Sequence, residues 1–467
     1  MTILMTLIAG VVWVGAGRGL VRLVGGNRLG LSPLPLVAAW LLSGVAAGAF
    51  VTSVLAATGL PVRPWPLSAP LLILLAVAGG RPAAGSVRGR PWRKATISDL
   101  PSVLAAILAI PLVLAAASRL TTGNDEYAIW AFKAKVLLAV GRVDPFILAG
   151  DPAYTYANRD YPLLIPSIQV WLEGWIGHAD DRLDHFAVAF IVAAGFVLVT
   201  ALVGRLAGPL AAVLSVLGIA SMTALATNAT QFVGDATNCM FALVLLLLLA
   251  IGCTTATAEG NAAIRLAIPF AAGAAMTKNE GGAFVLALLI AAAVVIDSRR
   301  RRSLALPLAA AVVGLLPWTL WSRTHGLKNI FVNTSTLKPS SFAHNLHNVG
   351  PVLGQMTKYW IGPSGLAAVA VGAVLVAGLA RAETRRTLLF LLLAIGLALG
   401  ALLFTYVVSP LQGIGFLTSN IPRVIVFPSA AAWVIGSIAA AWAVKLLRPN
   451  ADRSLPVEPE MTLTDSQ

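Results

Sequence analysis

Apolar stretches near membrane-crossing length recur along almost the whole of this 467-residue chain, and they leave few folds open to it. Crossing a hydrocarbon core takes about 20 helical residues, and every backbone polar group inside it must be satisfied within the segment. The apolar runs fall at 2–16, 35–57, 66–80, 99–118, 185–204, 208–226, 238–253, 264–277, 281–297, 304–321, 364–380, 387–408 and 424–446. They predict an all-α polytopic membrane protein with about 13 transmembrane helices. Composition agrees: 58% of residues are hydrophobic and 11% charged, where a soluble chain carries roughly a quarter charged.

The formal charge of +14 does not point to nucleic acid, because the basic residues lie in short runs between apolar spans. Arg18, Arg22 and Arg28 follow the first span, and Arg81, Arg88, Arg90, Arg93 and Lys94 the third. Arg299 to Arg302 follow the ninth, Arg381, Arg385 and Arg386 the eleventh, and Lys445, Arg448 and Arg453 the thirteenth. All follow odd-numbered spans, so the positive-inside rule puts them on the cytoplasmic side, with the N-terminus outside and the C-terminus inside. The first span, Thr2 to Gly15, lacks a basic leader and a small-residue cleavage motif, and is expected to be retained. The same parity puts two long loops outside, about 119–184 and 322–363, in a multi-pass protein of the plasma (cytoplasmic) membrane. The first loop holds nine of the nineteen acidic residues, and all five histidines (His178, His185, His325, His344, His347) fall in or beside the two loops. Chemistry is therefore expected at the extracytoplasmic face.

Within the first loop, Asp125 and Glu126 stand side by side just after an apolar span. Ionisable groups at a membrane edge are functional candidates, although Asn124, Asp125 and Glu126 also suit a helix N-terminus. Tyr127 to Val140 has near-helical apolar spacing and ends at Gly141, a natural cap. Lys133 and Lys135 are expected to reach headgroups, with Trp130 anchoring at the interface. Pro162 to Ile176, carrying Trp171 and Trp175, predicts a second interfacial helix. Between them, Asn158-Arg159-Asp160-Tyr161-Pro162 reads as an extended-to-helix turn. Further along, Lys278 and Glu280 form a pair with each other, or Lys278 faces a phosphate. Arg423 at the start of the last span snorkels to headgroups or forks onto a lipid phosphate. Asp235 is a lone outer-edge acid that also suits a helix cap. Cys239 and Cys253 lack a metal or redox spacing and read as buried core residues. His344 and His347 at i,i+3 lack a carboxylate motif; a divalent cation held by Asp125 or Glu126 with Asp235 is the more plausible metal site.

Several of these segments resemble the integral-membrane GT-C glycosyltransferases, the class that contains the protein mannosyltransferases and the lipid A aminoarabinose transferases. The resemblance rests on the acids at a span's end and on the two loop helices. It rests further on Ile129-Trp130-Ala131-Phe132-Lys133-Ala134-Lys135, Asp160-Tyr161-Pro162-Leu163-Leu164-Ile165-Pro166 and Thr277-Lys278-Asn279-Glu280-Gly281. Late in the chain, Tyr406 to Ser409-Pro410, Thr418-Ser419 and Arg423 to Pro428 join them. It covers roughly residues 99–446, which divides the chain into N-terminal transmembrane helices (1–98), a GT-C-like catalytic core (99–446) and a disordered cytoplasmic tail (447–467). The chain departs from the class in having more than one span ahead of the acidic loop, and in the Asp-Glu pair itself.

The resemblance implies transfer of a sugar from a polyprenyl-phosphate donor, with inversion, to an acceptor glycan, lipid or protein at the outer face of the cell envelope. Asp125 or Glu126 would be the general base, Asp125 being preferred. Lys278 and Arg423 would bind the donor phosphate. Trp130, Lys133, Arg159, Asp160, Tyr161, Asp235 and Glu280 would complete the pocket. The alternative is a transporter or flippase of lipid-linked sugars, which should carry polar groups at mid-membrane and internal symmetry. The spans are nearly free of such groups, so the transferase reading is favoured.

Overall fold

The structure, a computed structural model, describes residues 2–79, 96–151, 158–255, 257–327, 329, 337–360, 382–409 and 414–447. Every regular element among them is helical, and the chain is an all-α, multi-pass membrane protein. In chain order the helices are α1 (Thr2–Leu23), α2 (Pro33–Thr58), α3 (Pro64–Gly79), α4 (Leu100–Ala117), α5 (Phe132–Val140), α6 (Leu164–Ile176), α7 (Asp181–Ala207) and α8 (Pro209–Ala220). After them come α9 (Thr223–Ala229), α10 (Gly234–Thr254), α11 (Ala258–Thr277), α12 (Asn279–Val295), α13 (Ala305–Thr324) and α14 (Pro339–Asn345). The last are α15 (349–360), α16 (Ala382–Val408), α17 (Ile414–Val424) and α18 (Val426–Leu447).

Twelve of the thirteen expected spans lie within the described residues but for residue 80, and each falls mainly on helix, that at 208–226 being split over α8 and α9. The expected span 364–380, the basic run 81–94 and the C-terminal tail from 448 lie outside them. Among the described residues eight helices are long and apolar enough to cross a membrane, or nine if α8 and α9, bent by 70° at a short break, count together. The remainder fall short for plain reasons. α3 and α12 are apolar but short, and α11 carries Glu259 and Arg265. Thirteen crossings are compatible with these helices, and eight meet the full length and composition.

The centre of the body is α10. Its run Phe241 to Ile251 is apolar on every face, the signature of a helix enclosed by others rather than one turned half to lipid. Accordingly its 18-residue apolar window is 100% buried, whereas that of α4 is only 28% buried and its Leu100, Ile107, Ile110 and Leu114 point outward. Around α10 pack α7, α11, α12, α16 and α18, and α2 joins the same core through α7, α11 and α13.

The two ends of this body differ in charge. At one end, where α10 stops and α11 starts, Arg300 Nη1 donates to the Thr255 carbonyl at 3.0 Å and Arg205 pairs with Glu259 at 2.5 Å. At the other end, where α10 starts and α11 stops, lie Asp235 and Lys278. The polypeptide there reverses within one residue: Lys278, in an extended conformation (φ −150°, ψ 162°), ends α11 and opens α12. So tight a reversal needs the helices to touch. A Cβ on Gly281 would lie 1.9 Å from the Ala274 carbonyl oxygen, which only glycine avoids.

Gly281→Val is therefore expected to lower the midpoint of thermal unfolding in detergent, with a cost of about 3 kcal/mol from overpacking. Gly396→Ala on α16, where nothing lies within 4 Å of the added methyl, is expected to leave it unchanged or raise it slightly.

Candidate active site at one end of the helical body

The acid pair sits where α4 has ended and the chain enters a π turn over Glu126–Ala131, which runs into α5. Asp125 is the residue just before this turn and Glu126 is its first, and successive side chains on a helix point in different directions. The two acids consequently have opposite fates. Glu126 turns inward and is 1% exposed. Its Oε2 accepts from the backbone N–H groups of Gly123 (2.9 Å) and Thr122 (3.2 Å). Its Oε1 accepts from the N–H of Phe232 (3.2 Å) and faces His185 Nε2 at 3.4 Å. Burial pushes this carboxyl up, but the His185 contact and the Gly123 and Phe232 N–H groups outweigh it and hold it below its ordinary range. Every lone pair of Glu126 is thus occupied in joining the loop to α7 and to the start of α10.

Asp125 turns the other way, its side chain 41% exposed, and forms an ion pair with Arg423. Arg423 belongs to the last turn of α17 and bridges two acids, since its Nη2 donates to Asp235 Oδ2 at 3.0 Å. Asp235, in the first turn of α10, accepts from Lys278 Nζ at 2.8 Å through its other oxygen. Lys278 also lies 3.6 Å from Glu280 Oε1. The result is a continuous chain, Asp125–Arg423–Asp235–Lys278–Glu280, assembled from four separate parts of the sequence. Asp235 beside it, more than Asp125, raises the guanidinium of Arg423 above its ordinary range. Burial pulls the Lys278 ammonium down, but Asp235 and then Glu280 hold it above its own. Both cations stay charged. The Nε of Arg423 is buried and has no hydrogen-bond partner among the described residues. The space left between Asp235, Lys278, Glu280 and Arg423 is only about 10 Å³, enough for a single water.

Behind this chain a second layer holds Lys278 in place. Lys133 Nζ donates to the Tyr161 carbonyl at 2.9 Å. The Tyr161 ring lies between two ammonium groups, Lys133 at 5.7 Å and Lys278 at 5.8 Å, and packs at 5.5 Å on Trp130. Asp160 Oδ2 accepts from Asn279 Nδ2 at 2.7 Å, next in sequence to Lys278. Trp318 Nε1 on α13 donates to the Asp160 carbonyl at 3.2 Å. Burial lowers the Lys133 amine to about 7, with Asp160 partly offsetting it, and raises the Asp160 carboxyl against the pull of Lys133 and Asn279. The three segments around Trp130, Asp160 and Lys278 are therefore one interlocking unit. This corrects the expected roles of Trp130 and Lys133: both are 0% exposed and neither reaches headgroups. Burial against Tyr161 wins because α5 and α6 pack on one another and turn this face inward. Arg159 lies apart from the unit and donates to the Asp151 carbonyl at 3.1 Å.

Arg423 does not snorkel to lipid; its guanidinium fills the gap between Asp125 and Asp235, where a divalent cation was the other candidate. Among the described residues no group of three or more His, Cys, Asp or Glu side chains is arranged to hold a metal ion. Cys239 and Cys253 are both buried and unpaired. His344 and His347 form a local contact with each other, their rings 5.9 Å apart. Sequence reasoning missed two partners. His185 was visible only as one of five loop histidines, and Asn279 only as the polar neighbour of Lys278; neither carries a spacing that names its partner.

No family model matches the chain, and no curated protein matches it. Among solved structures, the apo crystal structure of ArnT from Cupriavidus metallidurans aligns with a TM-score of 0.48 and 18% identity, over 74% of this chain and 61% of that one. The same protein bound to undecaprenyl phosphate aligns with a TM-score of 0.47 and 17% identity, over 74% and 62%. The chain thus spans about 61% of the length of the first of these.

Removing the charge of Glu126 is expected to weaken the fold. Glu126→Gln leaves buried N–H groups facing an amide and should cost about 2 kcal/mol, read as a lower unfolding midpoint. Because the folded Glu126 carboxyl titrates below its ordinary 4.5, its contribution is complete above that pH and is lost as the pH falls through the lower folded value. The difference in midpoint between wild type and Glu126→Gln should accordingly shrink on acidification below pH 4.5.

Proposed function

We propose that this protein is a membrane glycosyltransferase of the GT-C kind, moving a sugar from a polyprenyl-phosphate donor to an acceptor hydroxyl at the extracytoplasmic face. The observation that carries the reading is the chain of two cations and an exposed carboxylate at the end of the body opposite the arginine cluster. A lipid-linked phosphate needs cations at a membrane edge, and the reaction needs a base within reach of the same point.

The chemistry follows from what each side chain can do. The donor phosphate requires Lys278 and Arg423, and Arg423 still holds a free Nε–H for it. The gap is too small for a phosphate as it stands. Of the three acids engaged there, Asp125 is 41% exposed against 2% for Asp235 and 12% for Glu280. Asp125 is therefore the one that the phosphate displaces from Arg423. The displacement frees the carboxylate at the moment the donor arrives. Asp125 then accepts the proton of the acceptor hydroxyl as its oxygen attacks the anomeric carbon. The bond from that carbon to the phosphate oxygen breaks, and its electron pair leaves with the polyprenyl phosphate. Lys278 and Arg423 stabilise the charge that gathers there. A single displacement inverts the anomeric centre. Glu126, saturated by backbone N–H groups, is no base in this scheme and holds the loop that carries Asp125.

The test is sugar transfer from a synthetic polyprenyl-phosphate sugar by the reconstituted protein. Asp125→Asn is expected to lower kcat by about 10²–10⁴-fold, the usual worth of a general base. It should at the same time bind polyprenyl phosphate as tightly as wild type or more so, having lost the competitor for Arg423. Arg423→Lys keeps a charge but loses the fork, and should weaken polyprenyl-phosphate binding about tenfold. Full transfer activity in Asp125→Asn would exclude the scheme.

A further inference from the structure

A second feature lies beside this site and takes no part in the reaction as described. Between α4, α7, α8, α9 and α10 runs a groove of about 450 Å³, within the range of small-molecule sites. Its lining is hydrocarbon (Pro111, Ala115, Phe196, Ile219, Leu225 and their neighbours) apart from three polar side chains, Arg119, Thr227 and Thr230. The bend between α8 and α9 opens it: two helices at 70° fail to fill the space beside α4 as one straight helix would. Along α4 it extends from Leu108 to Arg119, roughly 16 Å at 1.5 Å per residue, about half the depth of a 30 Å hydrocarbon core. Exposed residues flank it, Leu114 on α4 and Leu217 on α8, so the groove faces the bilayer.

The polar groups gather at the end nearest the active site. Arg119 Nη1 donates to Thr230 Oγ1 at 3.3 Å, and among the described residues no carboxylate pairs with this guanidinium. A guanidinium has five N–H donors, so most of its capacity is open to a ligand. The mouth is tied to the reaction centre by short segments. Arg119 lies six residues before Asp125, and Thr230 two residues before Phe232, whose N–H holds Glu126. None of Asp125, Asp235, Lys278 or Arg423 lines the groove. The donor phosphate already has two cations of its own, so a separate cation above a separate hydrocarbon channel calls for a second amphiphile.

We propose that the groove holds a chain of an anionic membrane lipid, its headgroup on Arg119, and that this lipid presents the hydroxyl to which the sugar is transferred. The inference rests on the transferase reading above and adds the substrate class: the acceptor is a lipid of one leaflet, not a polypeptide. One leaflet's depth of hydrocarbon suits a lipid chain, and a guanidinium with no carboxylate partner among the described residues, at the end of that hydrocarbon, suits an anionic head.

The test uses the full chain in nanodiscs, with phosphatidylglycerol carrying a photoactivatable acyl chain as the probe and phosphatidylcholine with the same chain as control. Labelling is expected on peptides of α4, α8 and α9, with phosphatidylglycerol favoured about tenfold, the worth of one charge-assisted contact. Arg119→Gln should remove the headgroup preference, and Ala226→Trp should fill the groove and remove the label. Equal labelling by the two lipids, or no label above that on the outer face of α13, overturns the proposal. So does displacement of the label by synthetic polyprenyl phosphate, which would make the groove the donor's own and leave the transferase reading intact. A polyprenyl-phosphate affinity unchanged in Arg423→Lys strikes instead at the reading of the active site, and the labelling result stands apart from it.

Discussion

The guanidinium of Arg423 between Asp125 and Asp235 is the interaction on which the rest of the site depends. It ties α17, late in the chain, to the start of α10 and to the loop after α4. Charges taken out of water cost several kcal/mol each unless paired, and removing one partner of a buried pair costs about 3–5 kcal/mol. Such a pair is weak as a source of stability and strong as a locator. It specifies where three distant segments meet, because any other arrangement strands a charge in a low-dielectric edge. The first turns of α10 and α12 both point at it, and the partial positive charge of a helix N-terminus favours Asp235 and Glu280 there.

The charge balance of this cluster sets the condition for the phosphate binding proposed above. Three carboxylates share two cations, and the arrangement is closed to a phosphate until one carboxylate moves. Burial sets which one. Asp235 and Glu280 are enclosed by helix, while Asp125 precedes the π turn with nearly half its side chain in the open. The adjacent acid, Glu126, supplies the rigidity that this requires. It is fastened to Gly123, Phe232 and His185, so Asp125 can change partner without the loop changing shape. In the proposed scheme two neighbouring residues of the same chemistry thus divide structure and reaction between them. Exposure and partners, not acidity, make the difference.

Much of this was legible beforehand. A chain with 58% hydrophobic residues in runs near twenty cannot fold except as helices in a membrane, and twelve expected spans fall mainly on helix. The cap at Gly141 lies where the pattern put it, with positive φ. The candidate residues Asp125, Lys278 and Arg423 stood out because charge is scarce here, and they meet in one place. The side chains of Trp130 and Lys133 were misread for a physical reason. An amphipathic helix at a membrane edge shows the same pattern whether its aromatic face meets lipid or protein. Only the packing of α5 against α6 and of Tyr161 against both lysines turns them inward.

By itself the sequence determined the solvent of this protein, its helical class, the concentration of its acids in one loop and the short roster of charged residues able to do chemistry. Those follow from composition and period, which are local and need no partner. Tertiary structure alone decided that Asp125 faces a cation while Glu126 faces backbone, that Asp235 joins Arg423 to Lys278, and that Arg119 stands over a channel of hydrocarbon. Each of these depends on contacts between residues from about 40 to nearly 300 positions apart. Pairing over such separations is set by how helices pack against one another, and no periodicity along the chain records it.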